Sequence, residues 1–149
     1  MIEFLKENKE DIINENYQAL FINYSKFVQQ NAGFEFVMDQ DQDLAVLLIK
    51  SGIYPADILS KLTEIPCFIG YYWPERRLFI PNNVEQIHHA AFAGNNNITD
   101  IIVPNSVVHI GNSAFDVNDL EYIKLPERFR DQLDNFYQMS LNGVTVEYY

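Results

Sequence analysis

The chain is poor in sulfur, in positive charge and in long apolar runs. One cysteine, Cys67, stands in 149 residues, so no intramolecular disulfide can form and a small secreted fold held by such bridges is excluded. Ten lysines and arginines face 21 aspartates and glutamates, a formal charge of −11. That balance disfavours nonspecific attachment to a nucleic-acid backbone or to anionic lipid. No run approaches the roughly 18 apolar residues of a membrane span, and Met1 to Glu7 has neither a basic start nor the apolar core of a signal peptide. These absences together predict a soluble protein of a reducing, cytoplasmic setting.

The residues of common chemistries are sparse as well. The three histidines are His88, His89 and His109. Glu85 stands three residues before His88, but the second such pair that a carboxylate-bridged metal site needs is missing. Asp39, Asp41 and Asp43 alternate like a calcium loop, without the glycine and distal glutamate of that motif, and read instead as a capped helix start. Cys67 has no histidine near it in sequence and sits beside Phe68 and Ile69, which suits an inert buried thiol. No phosphate-cradling glycine loop and no strained serine elbow occurs. The residues thus predict no catalysis, no metal and no cofactor.

What is present is a repeat. Apolar residues make up 48% of the chain, with 11 Phe and 9 Tyr, which is enough for a sizeable core. Leu78-Phe79-Ile80-Pro81-Asn82-Asn83-Val84 is answered by Ile101-Ile102-Val103-Pro104-Asn105-Ser106-Val107, and Ile123-Lys124-Leu125-Pro126 opens a third copy. Val84, Ile87, Ala91 and Phe92 recur as Val107, Ile110, Ala114 and Phe115. After a one-residue deletion Ile98, Ile101, Val103 and Pro104 recur as Leu120, Ile123, Leu125 and Pro126. A period of about 20–29 residues on such a pattern marks a leucine-rich solenoid, whose unit cannot bury its apolar row without a neighbour. Each unit reads as a short strand, a turn and a partial helix, with the prolines stopping the strands.

From Ile101 to Phe115, and more loosely from Leu78 to Phe92, the chain resembles the BspA-like leucine-rich repeat family. The resemblance covers roughly residues 64–130. It implies a solenoid of parallel strands and a protein that acts by binding other proteins; the family occurs in bacterial surface proteins, in some protists and in short phage or mobile-element proteins. Gly111 fits the glycine that members carry after the second isoleucine. His88 departs from it, which implies a different turn in that coil.

The flanks read as caps. Residues 2–30 are helical, with Ile13, Tyr17, Leu20, Tyr24, Phe27 and Val28 on one face. Asn31-Ala32-Gly33 breaks this helix, Phe34 to Met38 reads as a strand or extended link, and Leu44–Ile49 and Pro55–Leu62 form short helices. Ile65-Pro66 echoes Ile80-Pro81 without making a full copy. After Pro126 a helical segment with Phe129, Leu133, Phe136 and Tyr137 on one face replaces the third coil, Asn142-Gly143 turns, and Val144 to Tyr149 alternates as a strand. The expected fold is α+β: a helical cap over 1–63, then a solenoid with a helix-strand cap over 64–149.

Candidate contacts follow from exposure and residue type. Tyr71, Tyr72, Trp73, Arg76 and Arg77 gather the types enriched at binding hot spots, and Tyr72 and Trp73 serve equally well to close the junction between cap and first coil. By alternation Phe79, Ile102 and Lys124 share one outward row. The favoured reading is a noncatalytic interaction module of phage or mobile-element type that binds and modulates or inhibits a host protein, such as a defence component. One alternative is an acidic mimic of nucleic acid filling a groove on a host enzyme, although the charge is even, −5 over residues 1–62 and −6 over 63–149. The other is an enzyme with a site at the junction, built on Glu64, Glu75, Arg76 and Arg77. The strand from Val144 to Tyr148 can also pair with its own copy in a homodimer.

Overall fold

A computed structural model describes residues 1–31 and 39–149; Phe34 to Met38 lies outside the described residues. Apolar spacing at the N-terminus makes helix, but three asparagines cut it into pieces. Helices α1 (Ile2–Glu7), α2 (Lys9–Ile13) and α3 (Tyr17–Asn31) replace the single expected helix. Asn8 ends α1 by donating from Nδ2 to the Phe4 carbonyl, and Glu15, between Asn14 and Asn16, takes φ +55°. The change of direction leaves Ile13 66% exposed rather than buried, whereas Tyr17, Leu20, Tyr24 and Val28 of α3 are buried. A 3-10 turn (Gln40–Gln42) leads to α4 (Leu44–Lys50), capped by the Asp43 carboxylate, which accepts from the Val46 amide at 2.9 Å. Helix α5 (Pro55–Ser60) begins at its proline, where the missing N–H has no role.

The repeat then builds two parallel sheets. Strands β1 (Glu64–Ile65), β3 (Gln86–Ile87) and β5 (His109–Ile110) form one ladder; β2 (Arg77–Phe79), β4 (Asp100–Ile102), β6 (Tyr122–Leu125) and β7 (Thr145–Tyr148) form the other. Each coil therefore holds two short strands and no helix. A left-handed residue after the second strand, Ala90 at φ +54° and Ser113 at φ +58°, turns the chain before a helix can start. The coil carrying His88 turns as its neighbour does: His88 donates to Ile65 O and Gly111 to Ile87 O, one coil apart. Gly111 is needed for approach rather than for φ, because a Cβ there would stand 2.4 Å from the His89 nitrogen.

Register also reveals a coil that the sequence pattern hides. Ile65 pairs with Ile87, not with Ile80, so Leu62, Ile65, Ile69 and Gly70 precede Val84, Ile87, Ala91 and Phe92 by 22 residues. Phe68 at φ +66° holds the left-handed position of this first coil. Glycine replaces the expected phenylalanine because the Phe92 ring of the next coil lies over it; a Cβ on Gly70 would meet Phe92 Cδ1 at 1.9 Å.

Aromatic rings run through the solenoid. Trp73 meets Phe92 edge to face at 6.1 Å, Phe92 stacks on Phe115 at 6.1 Å, and Phe115 meets Phe136 at 6.0 Å. Phe136 and Phe129 come from the C-terminal segment, a 3-10 helix (Glu127–Gln132) followed by α6 (Leu133–Phe136). Helices and coils share one core, which extends from Phe4 to Tyr137.

Candidate binding surface

Strands of the four-stranded sheet alternate strictly, with Leu78, Ile101 and Ile123 turned into the core. Two outward rows result. Arg77, Asp100, Tyr122 and Thr145 lie in register along one, and Phe79, Ile102, Lys124 and Glu147 along the other. The sheet thus brings Phe79, Ile102 and Lys124 together as alternation requires, and it adds Glu147 from β7, which the sequence reading left out. Phe79 is 57% exposed, while Ile102 and Lys124 are half-buried.

The charges on this face are paired. Arg77 Nε lies 3.2 Å from Asp100 Oδ2, and Lys124 Nζ lies 3.6 Å from Glu147 Oε1 and 5.1 Å from the centre of the Tyr149 ring. Tyr122 donates to Glu147 Oε2 at 2.7 Å. That hydrogen bond, and then Lys124, hold the Glu147 carboxyl below its usual range, so it stays ionised at neutral pH. Beside the sheet, Arg76 lines a concavity of about 530 Å³ with Asn96, Asn97, Asp119 and Glu121.

The aromatic stretch divides. Trp73 is fully buried against Phe92 of the next coil, so its side chain presents nothing to a partner. Tyr71 and Tyr72 are half-buried and pack edge to face at 4.9 Å. Tyr71 lies against Gly94, where a Cβ would come within 2.5 Å of its ring. Arg76 and Arg77 are exposed.

Two buried arrangements escaped the sequence reading. Asn95, in a stretch that reads as plain loop, is fully buried; its Nδ2 donates to Gly70 O and Trp73 O, and its Oδ1 accepts from the Asn97 and Ile98 amides. It ties each end of its own turn to the coil below. Cys67 Sγ lies 3.2 Å from His89 Nδ1, beside a hollow of about 340 Å³ between α3 and the first coil. Burial raises the Cys67 pKa, so the pair holds a neutral thiol rather than an activated thiolate. The coil period was the available signal: Cys67 and His89 differ by 22 residues. Among the described residues no group of three or more His, Cys, Asp or Glu could hold a metal ion, and no helix is long and apolar enough to cross a membrane.

Comparison with known proteins agrees with this architecture. The model of the BspA type leucine-rich repeat region matches residues 58–147. The chain belongs to that family. The match begins within α5 and ends in β7, so it takes in both the hidden first coil and the last strand. Among curated proteins and among solved structures, none matches. Leucine-rich repeats generally mediate protein–protein interaction, and this family is typically a noncatalytic interaction module.

Proposed function

We propose that the protein acts by binding a partner protein on the outward face of its four-stranded sheet, with Phe79 at the centre of the contact. The observation that carries this is Phe79 itself. It is a large apolar side chain 57% exposed on a parallel strand, in register with Ile102 and flanked by the Arg77–Asp100 pair. An aromatic ring held on a regular element, with a polar rim, is the composition of an interface anchor. Arg76 lies outside this row, beside Arg77 and Asp100, and belongs in this reading to the rim of the contact. Trp73 supports the surface from within.

The partner in this reading is a protein of a host cell, inhibited or modulated by occupancy alone, with the chain itself of phage or mobile-element origin. The acids of the face are neutralised by Arg77 and Lys124, which does not resemble an unbroken row of phosphates. The test is capture of partners from host lysate by the tagged chain at low and high salt, beside Phe79→Ala and the control Val108→Ala, whose side chain is 65% exposed elsewhere. A stoichiometric protein should survive high salt, be retained by Val108→Ala, and lose about tenfold or more in affinity with Phe79→Ala. A nucleic-acid enzyme recovered at low salt alone would favour mimicry, and equal retention by both variants would move the contact off this sheet.

A further inference from the structure

The four-stranded sheet ends at β7, and its last strand is prepared on one side only. Parallel pairing turns the N–H and C=O groups of Thr145, Glu147 and Tyr149 toward β6: Thr145 N donates to Glu121 O, Tyr149 N to Leu125 O, and Glu127 N to Tyr149 O. By alternation Val146 and Tyr148 direct theirs away from β6, and among the described residues no strand pairs with that edge. The inward row here is also incompletely covered. Its counterparts Leu78, Ile101 and Ile123 are at most 1% exposed, but Val144, Val146 and Tyr148 are half-buried. The segment leading into β7 adds Met139 and Leu141, each 42% exposed.

We infer that this edge pairs with the same edge of a second copy, antiparallel and centred on Val146. Three independent features agree on that register. Val146 faces the free edge, so two copies centred there exchange their N–H···O bonds directly. On the inner face Val146 meets Val146 of the second copy, and Val144 meets its Tyr148, an aromatic opposite a β-branched residue. On the outer face Thr145 meets Glu147 twice. A register centred on Glu147 instead sets two carboxylates opposite each other. The charge pattern therefore selects the first and rejects the second. The product is one continuous eight-stranded sheet with Phe79 on each outermost strand, about 34 Å apart at seven strand spacings, and hence bivalent toward any ligand of that row. Because each copy carries −11, added salt tightens the association.

The test is sedimentation of the full chain across concentration and salt, with circular dichroism confirming the fold of each variant. The wild type should self-associate to a dimer. Thr145→Glu, which sets two acidic pairs across the axis, should weaken it about tenfold, and Thr145→Lys should strengthen it. Val146→Pro removes a donor that faces away from β6 and should give a monomer with the fold intact. With oxidised glutathione as acceptor of the electrons, Val146→Cys should form a reducible covalent dimer through two thiols about 5.5 Å apart at Cα. Glu147→Cys, which faces Thr145, should not. A monomer at every concentration, or a dimer indifferent to these substitutions, overturns the proposal.

Discussion

Asp43 shows how much a single side chain can carry that its type alone does not announce. As the cap of α4 it was legible: an aspartate before an apolar helical run, bonded to the third residue on. Its burial was not legible, because that depends on α3, whose Tyr24 hydroxyl donates to the adjacent Gln42 carbonyl; Asp43 is 1% exposed and its pKa is pushed up to about 6 by burial, against the smaller pull of the Val46 and Ala45 amides. Burial, and secondarily the Asp43 charge, raises the Tyr24 pKa in turn. The folded value exceeds the unfolded one of about 3.9, so the native state binds the proton more tightly. The stability gained from protonated Asp43 is fully present below about pH 4 and is lost as pH rises through about 6, a loss on the order of 2–3 kcal/mol. Asp43→Asn keeps a capping oxygen without the charge. It should raise the urea midpoint at pH 7 and leave it nearly unchanged at pH 4. An equal effect at both values would mean that the carboxylate is solvated.

At the scale of elements, what repeats could be read and what ends could not. The coils from Leu78 to Pro126 were legible because eight positions recur, and the fold buries every one of them. The first coil was hidden because its ring position holds Gly70, a residue that carries no pattern and is explained only by Phe92 of the next coil. The three-piece N-terminal helix was missed for a similar reason. Apolar spacing continues through Asn8 and Asn14, while the side-chain hydrogen bonds of Asn8 and Asn16 and the left-handed Glu15 redirect the chain. The outward row of Phe79 was legible from alternation, but its extension to Glu147 required knowing that β7 joins the same sheet rather than closing it. Gly70 and Phe92 then form a coupled pair. Gly70→Ala should destabilise by about 1–3 kcal/mol through overpacking, and Phe92→Leu should cost a comparable amount through lost ring contacts. The double variant should be less unstable than the two effects added, since the smaller side chain makes room for the methyl. Strict additivity in denaturant unfolding would show that the close approach is not what fixes glycine at this position.

For the whole molecule, the question is whether residues 1–63 and 64–149 behave as two bodies. A solenoid joined to its neighbour by few contacts melts in pieces, whereas the N-terminal helices are fastened to the coils at several points. Gln18 Oε1 accepts from the Thr63 and Glu64 amides, Ser25 Oγ donates to Cys67 O at 2.6 Å, and Asn83 Nδ2 donates to Leu59 O and Leu62 O. The apolar core is continuous across the same boundary. Trp73, the single tryptophan of the chain, is fully buried against Phe92 and reports on the coils. In urea, Trp73 fluorescence and the far-ultraviolet helical signal should therefore change together in one transition. A chain begun at residue 64 leaves the first coil without α3, whose Ser25 holds the Cys67 carbonyl, and should not fold alone. Loss of helical signal before any change at Trp73 would show an independent cap. The strand that carries Phe79 would then be held by the coils alone, and the proposed contact face would no longer depend on the N-terminal helices.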